Sequence, residues 1–323
     1  MKKVLITGAF GYIGARLSKY LAENGYRITA FSRSKHSNNS QWISLLEEVI
    51  IGDICDEKTV NNLAQKQFDV VIHLISLDHH KSEANPNFVS SINVIPTWNL
   101  LDKLTKNGLK KFIYFSTIHV YGKIPNKIIT EDYTTAPLNT YGLTHLLSEN
   151  ICNYYNEKTE TKCINVRLSN SYGSPIIEHN NCWWLVINEL CKTAYYENDI
   201  KLLSDGSPQR DFIHGDDVVR AIETLINYDN SFDYNNFFHI ASGETLTILE
   251  LAHKVKKVYF QRYNKNIDIY LNDSSVSENP GQYKDIQKYR ISTNKLDEIG
   301  FQQKINFEDG LNEVFNYLEN DSN

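Results

Sequence analysis

The chain has 323 residues, of which 41% are hydrophobic and 22% charged, the composition of a folded globular protein with one large domain or two smaller ones. Its net charge is −6 and its 33 basic residues form no cluster, so a nucleic-acid partner is not expected. No apolar run approaches the roughly 20 residues that a membrane span requires, so a membrane partner is not expected either.

The cysteines favour a reducing compartment. They are odd in number and contain no CxxC pair, which disfavours structural disulfides and a zinc site. We therefore expect a cytoplasmic protein without a bound metal. The five are Cys55, Cys152, Cys163, Cys182 and Cys191.

The first half of the chain alternates short apolar runs with helical patterns. Continuous apolar strands separated by helices predict an α/β fold, in which a parallel sheet is covered on both faces by right-handed crossovers. The predicted strands are 3–7, 26–31, 48–53, 68–76, 110–117 and 162–169, and the predicted helices are 12–24, 57–66, 88–106 and 140–158.

After about residue 170 the alternation weakens and predicts a smaller mixed domain. Helices are predicted at 181–197, 216–228 and 247–260, and strands at 199–203 and 237–241. We expect residues 1–170 to form the first domain, with segments around 212–243 returning to it, and 171–323 to form most of the second.

A glycine-rich turn, "TGAFGYIG", follows the first strand and opens the first helix. Glycine at Gly8, Gly11 and Gly14 permits a tight turn, and the amides at the helix start can bind a pyrophosphate. The strand–turn–helix context predicts a dinucleotide site in a Rossmann-type doubly wound sheet. The alternative is a glycine turn without a ligand.

The GxxGxxG spacing resembles the extended short-chain dehydrogenase/reductase family, the NAD-dependent epimerases and dehydratases that modify nucleotide-linked sugars. Further stretches resemble that family in the same order along nearly the whole chain. They are "GDI" (52–54), "VIHLIS" (71–76), "NVIPTWNLL" (93–101), "YFSTIHVYG" (114–122), "RLSNSYG" (167–173), "GSPQRDFIHGDDVV" (206–219) and "STNKLDEIGF" (292–301).

The resemblance implies a dinucleotide cofactor and the residues that bind it. In this sequence they are Gly8, Phe10, Gly11, Tyr12, Ile13, Gly14, Ser32, Arg33, Asp53, Ile54, Leu74, Ile75, Asn93, Tyr141 and His145.

The end of the second strand indicates which dinucleotide is used. An NAD enzyme commonly has a carboxylate there for the ribose diol, whereas this chain has Ser32 and Arg33 in "AFSRS". Serine and arginine can bind a 2′-phosphate by hydrogen bond and charge, so NADP is favoured over NAD. The alternative is that Arg33 is a solvated loop cation and that either cofactor fits.

The resemblance assigns Tyr141 as the acid/base and Thr117, or its neighbour Ser116, as the hydroxyl that binds the sugar oxygen. A ketone that accepts a hydride needs a proton at oxygen, and a phenol within hydrogen-bond reach can donate it. The alternative is that Tyr141 merely begins a helix.

His145 departs from the family, which has lysine four residues after the tyrosine. That lysine bonds the nicotinamide ribose and lowers the pKa of the phenol, whereas a histidine is mostly neutral near pH 7. Oxidation of an alcohol needs the tyrosinate and should suffer more than reduction of a ketone. A site that binds without turnover is the competing interpretation.

The family's 4,6-dehydratases carry Asp-Glu after the catalytic threonine, and here Ile118 and His119 stand there, which disfavours dehydration.

On the substrate side, Asn170 and Arg210 resemble residues that hold the nucleotide diphosphate. Asn170 could instead shape a turn, and Arg210 could pair with a neighbouring aspartate.

Three further residues are assigned with less support from the motifs. Arg290 is a candidate for the last nucleotide-contacting arginine. Trp183 and Trp184 lie in a predicted helix and are expected to pack in the core of the protein rather than to stack on a ligand.

These features together predict NADP-dependent reduction of a nucleotide-activated keto-sugar at C4, with Tyr141 as proton donor. The first alternative is an NAD-dependent nucleotide-sugar 4-epimerase, and the second is a non-catalytic dinucleotide-binding or redox-sensing protein. The expected partner is a nucleotide-diphosphate sugar, and a homodimer is a family expectation.

Overall fold

The structure is a computed structural model that describes residues 1–34, 41–125, 127–178, 180–229, 236–272 and 288–321. Its strands, in chain order, are β1 (Lys3–Thr7), β2 (Arg27–Ser32), β3 (Glu48–Ile51), β4 (Val70–His73), β5 (Lys111–Thr117), β6 (Ile128–Ile129), β7 (Lys162–Leu168), β8 (Asn170–Tyr172), β9 (Asp199–Lys201), β10 (Gln209–His214), β11 (Phe237–Ile240), β12 (Thr245–Thr247), β13 (Asp268–Tyr270) and β14 (Arg290–Ile291).

Helices connect most of these strands. They are α1 (Tyr12–Glu23), α2 (Glu57–Ala64), α3 (Pro86–Asn93), α4 (Ile95–Leu104), α5 (Thr140–Lys158), α6 (Val186–Glu197), α7 (Gly215–Asn227), α8 (Ile248–Tyr263), α9 (Asn294–Glu298) and α10 (Phe307–Asp321). In the described ranges none of them is both long enough and apolar enough to cross a bilayer.

The chain divides into two compact units. The first comprises Met1–Ile124, Glu131–Leu168 and Ala221–Ile240, and the second comprises Pro125–Thr130, Ser169–Arg220 and Ala241–Asn323.

The first unit is built on a parallel sheet, which confirms the predicted fold class. Its strand order is β11-β7-β5-β4-β1-β2-β3, with neighbouring strands parallel throughout. The chain runs outward in one direction from β1 and then in the other from β4. The carboxyl ends of β1 and β4 therefore flank the point where ligands bind in such sheets.

The second unit is a mixed assembly of short strands and helices. Strands β12, β10 and β8 form one small sheet, and β13 pairs with β9 and β14 with β6. Its core is a cluster of buried side chains from α6, α8 and α10 and the strands beside them.

The predicted helix 88–106 is wrong in one respect, because it is two helices, α3 and α4. They meet at Val94, and Pro96 lies in the first turn of α4. Proline has no amide hydrogen to continue the helical bonding of α3, so the chain restarts there.

The predicted helix 181–197 was also placed too early, since α6 begins at Val186. Trp183 and Trp184 lie in the turn before it. Trp183 is partly buried against the core, but Trp184 is 48% exposed, and its indole Nε1 donates to the Asn181 carbonyl at 3.0 Å. The core assignment of Trp184 is therefore wrong.

Candidate active site

A cavity of about 970 Å³ lies in the first unit beside the ends of β1, β2 and β4, and its size is typical of a small-molecule site. The segment after β4, residues 74–84, supplies one wall that the sequence motifs indicated only in part. Of the residues predicted to bind a cofactor, those that line the cavity are Gly8, Phe10, Gly11, Ser32, Arg33, Asp53, Ile54, Leu74 and Ile75.

The glycine turn fixes the start of α1 against β2. The amide of Gly8 donates to the Phe31 carbonyl at 3.0 Å, and a Cβ added at Gly14 would collide with the Gly8 carbonyl oxygen. No side chain caps α1 and no acidic residue lies in its first turn. Its first amides therefore suit the diphosphate of a dinucleotide. Tyr12, Ile13 and Gly14 form this first turn and do not line the cavity.

The other end of the cavity carries groups suited to an adenosine. Ser32 ends β2, Arg33 follows it and is exposed, and Asp53 is exposed with its Oδ1 accepting from the Cys55 amide at 2.9 Å. Burial and Asp53 raise the pKa of the Cys55 thiol to about 11, and Arg33 opposes them, so these groups share one local environment. No sequence motif pointed to Cys55, although it directly follows "GDI".

Tyr141 and Thr117 are brought together by α5 and β5. Tyr141 is half-buried in the first turn of α5, whose cap residue Asn139 accepts from the Gly142 amide at 2.7 Å. Thr117 is the last residue of β5, and its side chain lies near enough to the phenol to act on its pKa. Burial raises the pKa of Tyr141 to about 12, the Thr117 hydrogen bond lowers it, and the Asp78 carboxylate raises it.

Asp78 ties this pair to the cavity, because it lines the cavity and its charge reaches the phenol. The phenol therefore lies near the wall of the cavity that Asp78 lines. The residues in place fit a bound dinucleotide at its diphosphate and adenosine ends.

Ser116, the other candidate hydroxyl, is occupied elsewhere. Its Oγ donates to Oε1 of Glu149 at 2.5 Å, and the guanidinium of Arg167 donates to both oxygens of the same carboxylate at 3.0 and 2.8 Å. Ser116, Glu149 and Arg167 are all buried. The structure thus brings Thr117, and not Ser116, to the phenol.

His145 packs on Tyr141 but is held by the sheet. The two ring centroids are 4.5 Å apart at 71°, and the His145 Nδ1 hydrogen-bonds to the Tyr114 hydroxyl at 2.8 Å. Its Nε2 is buried and has no hydrogen-bond partner in the described part of the chain. Burial, with smaller effects of His119 and His73, lowers the pKa of His145 to about 3, so the imidazole is neutral. The unpaired Nε2 is the atom that could bond a nicotinamide ribose.

Two further imidazoles surround the phenol, and the sequence motifs assigned them no role at this site. The His119 ring lies edge-on to Tyr141 at 5.6 Å, and the His79 ring is 6.2 Å from Tyr141 and 5.6 Å from His119. The sequence pattern indicated their role only weakly. His79 lies in a polar run after β4, and His119 lies in a short 3-10 turn after β5.

Asn93 joins segments of the site without lining the cavity. Its Oδ1 accepts from the Leu77 amide at 2.7 Å and its Nδ2 donates to the Thr144 hydroxyl at 3.0 Å. It therefore holds the segment after β4 against α5.

The residues predicted to contact the nucleotide diphosphate of the substrate lie in the second unit. The Asn170 Nδ2 donates to the Asp211 carbonyl at 2.9 Å, the local structural role that was its alternative. Arg210 is exposed on β10, and its Nη1 donates to the Gln209 carbonyl at 2.9 Å. The Nε of Arg290 donates to the Gly243 carbonyl at 3.0 Å.

Comparison with known proteins identifies similar chains. The UDP-glucose 4-epimerase of Bacillus subtilis is 27% identical over 282 residues, covering 79% of this chain and 81% of that protein. The structure is similar to the UDP-glucose 4-epimerase of Thermotoga maritima solved with UDP-glucose, with a TM-score of 0.83, 23% identity, and 99% and 100% coverage of the two chains. It is also similar to the UDP-glucuronic acid 4-epimerase of Bacillus cereus solved with NAD, with a TM-score of 0.80, 22% identity, and 98% and 96% coverage.

A family model described as the NAD dependent epimerase/dehydratase family matches residues 4–260. The match spans the glycine turn, the threonine strand, the Tyr141 helix and α7, in agreement with the family that the motifs resemble. The chain belongs to the NAD dependent epimerase/dehydratase family, whose members are oxidoreductases and isomerases of nucleotide-linked sugars.

Proposed function

We propose that the protein is a nucleotide-sugar 4-epimerase that uses NAD and inverts C4 of a hexose carried on a nucleoside diphosphate. The observation that carries this proposal is that the Thr117 hydroxyl lies near enough to the Tyr141 phenol to lower its pKa, beside a cavity suited to a dinucleotide. The similarity to the 4-epimerases of Bacillus subtilis and Thermotoga maritima supports it.

The step that the side chains of this protein would catalyse is proton transfer at the C4 oxygen of the sugar. As the phenolate, Tyr141 would take the proton of the C4 hydroxyl while that carbon is oxidised, and the resulting phenol would return it to the ketone oxygen in the second half-reaction. Thr117 orients the same oxygen by its hydroxyl. When bound, the dinucleotide would accept the C4 hydride and return it to the opposite face of the ketone.

Dehydration is not proposed for this site. Elimination of water across the sugar ring would need an acid and a base beside the catalytic threonine, where the family's dehydratases have two carboxylates. Here Ile118 is buried and apolar, and His119 lies against Tyr141.

A second candidate is reduction of a nucleotide-linked 4-keto sugar by NADPH. The neutral, buried His145 offers no positive charge to stabilise a tyrosinate, which handicaps alcohol oxidation more than ketone reduction. Ser32 and Arg33 at the end of β2 suit a 2′-phosphate as well as a ribose diol.

One experiment separates the two candidates. The purified protein is denatured, the released dinucleotide is identified by mass, and turnover is measured with UDP-hexoses and with nucleotide-linked 4-keto sugars. Retained NAD and equilibration of the C4 epimers would support the epimerase, whereas consumption of NADPH with a 4-keto sugar would support the reductase. Binding of a dinucleotide without turnover of any sugar would support a non-catalytic protein instead.

Tyr141→Phe is the matched variant for that experiment. Loss of the proton donor should lower kcat by at least about a hundredfold in either reaction. Binding of the dinucleotide should be unchanged, because the phenol is not needed to hold the diphosphate or the adenosine. An active Tyr141→Phe protein would refute both candidates.

We also propose Arg210 as the residue that binds the diphosphate of the sugar nucleotide, since it is exposed and its planar fork suits a pyrophosphate. Arg210→Ala should raise KM with little change in kcat, and Asn170→Ala should act mainly on stability because of its bond to Asp211. The KM and kcat of Arg290→Ala are measured for comparison, because Arg290 is the other arginine predicted to contact the nucleotide.

A homodimer and a cytoplasmic location complete the proposal. Helices α4 and α5 pack on each other, and both leave large apolar side chains exposed. Such a pair of helices suits a second copy of the chain. All five cysteines are free thiols, which fits a reducing compartment.

A further inference from the structure

A buried arginine bonds the helix that carries Tyr141. Arg167 lies on β7, the neighbour of β5 in the sheet, and its side chain is buried. Its guanidinium donates through Nε and Nη2 to the two carboxylate oxygens of Glu149 on α5, at 3.0 and 2.8 Å. Glu149 is also buried and follows Tyr141 by about two helical turns. The fork therefore attaches α5 to the sheet at one defined place.

The other end of the same guanidinium bonds the chain that follows β5. Nη1 donates to the Tyr121 hydroxyl at 2.8 Å and to the Glu131 carbonyl at 2.8 Å. Tyr121 ends the 3-10 turn that begins directly after Thr117. Arg167 therefore bonds two segments at once, the helix that carries Tyr141 and the turn that continues from Thr117.

This set of bonds depends on the shape of arginine. The bonds use four of the five N–H groups of the Arg167 guanidinium, and the plane of that group fixes their directions. A lysine ammonium on its flexible stem cannot hold two segments at fixed angles. The guanidinium carbon also lies 4.9 Å from the Tyr121 ring centroid and 4.2 Å from that of Phe237, so both rings help to shield it from water.

The Arg167–Glu149 pair stays ionised inside the protein. Burial lowers the pKa of Arg167, but Glu149 and Tyr121 outweigh that effect, and the pKa lies above its ordinary value. A buried ion pair often adds little net stability compared with apolar side chains of similar size. What the pair supplies here is therefore sought in geometry.

Two neighbouring bonds show what the loss of Arg167 would release. Ser116 donates to Oε1 of Glu149, but removal of this hydroxyl leaves both guanidinium bonds in place. The Tyr121 hydroxyl is also hydrogen-bonded to Nε2 of His239 on β11 at 2.5 Å, so the turn after β5 has a second attachment to the sheet. Loss of Arg167 should therefore displace α5 more than it displaces the turn.

We propose that Arg167 is a positioning residue, which fixes α5 on the sheet so that the Tyr141 phenol lies beside the Thr117 hydroxyl. The inference rests on the proposed function, because the position of the phenol matters for the rate only if the phenol transfers a proton.

Arg167 acts through α5 and not on the sugar. When the fork is broken, the first turn of α5 is free to shift over the end of β5. A displacement of about 1 Å at a proton donor costs on the order of a hundredfold in rate. The stability of the fold and the rate of the reaction should therefore respond differently to changes at this residue.

The first test does not depend on turnover. In protein with isotope-labelled tyrosine rings, the NMR signals of Tyr141 are identified by their loss in Tyr141→Phe. The His145 and His119 rings lie 4.5 and 5.6 Å from the Tyr141 ring, so their ring currents make these signals sensitive to movement of α5. Arg167→Lys should shift the signals. Unshifted Tyr141 signals in a folded Arg167→Lys protein would overturn the proposal.

The second test measures kcat with a UDP-hexose together with the Kd of NAD. Arg167→Lys should lower kcat by about ten- to a hundredfold and leave the Kd unchanged, because the residues at the diphosphate and adenosine ends of the cavity are not on α5. Thr117→Val should lower kcat by about a hundredfold in the wild type but add little in Arg167→Lys, where the two groups are already apart. Additive losses would contradict an effect through the Tyr141–Thr117 pair.

A matched control separates positioning from stability. Lys111, at the other end of β5, is also a buried cation, and its Nζ donates to three carbonyls at the end of α7 at 2.7 to 2.9 Å. Lys111→Met should lower the melting temperature but leave kcat and the Tyr141 signals unchanged. If it lowers kcat as much as Arg167→Lys at an equal loss of melting temperature, lost stability explains both and the proposal is wrong.

A double variant keeps the proposal testable if Arg167→Lys folds poorly. Exchange of a buried ion pair for apolar side chains often preserves stability, so the protein with both Glu149→Leu and Arg167→Met should fold. Its kcat should still be low and its Tyr141 signals shifted, and a fully active double variant would overturn the proposal. If no UDP-hexose is turned over even by the wild type, the proposed function fails, and the Tyr141 signals alone decide about Arg167.

Discussion

Two neighbouring hydroxyls on β5 have separate tasks. Ser116 donates to Glu149 of the buried Glu149–Arg167 pair, and Thr117 lowers the pKa of the Tyr141 phenol. Ser116→Ala removes a hydrogen bond to a buried carboxylate, so the free energy of unfolding should fall by about 1.5 to 3 kcal/mol with kcat nearly unchanged. Thr117→Val should lower kcat by about a hundredfold with little loss of stability. Urea unfolding and steady-state kinetics measure both, and the reverse pattern would contradict these roles.

The buried neutral imidazoles make stability depend on acid. Burial lowers the pKa of both His73 and His145 to about 3, below the value of about 6.5 in the unfolded chain. Between these pH values the unfolded chain binds more protons, so the free energy of unfolding falls as pH falls, by roughly 1.4 kcal/mol per pH unit for each histidine.

His145→Gln isolates one of these contributions. Urea unfolding at pH 7 and pH 5 should show a smaller loss of stability in the variant than in the wild type. His80→Gln, at an exposed position, is the control and should match the wild type. An equal loss in all three proteins would mean that His145 is protonated in the folded state.

We expect the residue at position 145 to influence the alkaline behaviour of the phenol. His145→Lys would place a cation one helical turn from Tyr141, and the pKa of the phenol should drop from about 12. The alkaline limb of the pH–rate profile should move to lower pH with folding preserved, as judged by thermal melting. An unchanged limb would mean that this position does not tune Tyr141.

Gly142, at the start of α5, depends on close packing between two elements. A Cβ there would lie 2.5 Å from the His119 carbonyl oxygen, so Gly142→Ala must move the first turn of α5 away from the turn after β5. A displacement of about 1 Å at a proton donor costs on the order of a hundredfold in rate. We expect kcat to fall far more than the melting temperature. Asn150→Ala, exposed on the same helix, should change neither, and a fully active Gly142→Ala protein would contradict the packing argument.

Helix α5 also carries apolar side chains that its own unit does not bury. Leu143, Leu147 and Tyr154 recur at helical spacing and are 44% to 55% exposed, next to α4 with Trp98 at 50%. An amphipathic helix normally buries its apolar positions. Here one apolar stripe is left outside the core of its own unit.

The assembly state of the whole molecule follows from that stripe. We expect the protein to be a dimer in solution and Leu147→Asp or Trp98→Asp to shift it to the monomer, because a charge would be buried in the interface. Leu203→Asp, at an 85% exposed position in the second unit, is the control. Light scattering after size exclusion gives the masses, and a monomeric wild type would contradict the expectation.

Across the whole chain, the features of the fold and of the site that the sequence predicts are those that a local sequence pattern determines. The alternation of apolar strands and helices predicts the parallel sheet, and the glycine turn predicts the diphosphate end of the cavity. The spacing of apolar residues predicted one helix where Pro96 divides the chain into α3 and α4. The core prediction for Trp184 was wrong because α6 begins without a side-chain cap, so its start is poorly marked in the sequence. His119 stands near the catalytic threonine in the sequence, but its contact with Tyr141, like that of His79, arises from tertiary packing that no local pattern predicts.

The position of Tyr141 in the first turn of a 19-residue helix has one more consequence. The aligned peptides of α5 give its start a partial positive charge of about half a unit, and this macrodipole field does not titrate. Some stabilisation of an anionic oxygen should therefore survive the removal of every nearby imidazole. The helix dipole therefore contributes a stabilisation that does not change with pH, to which ionising side chains add their own.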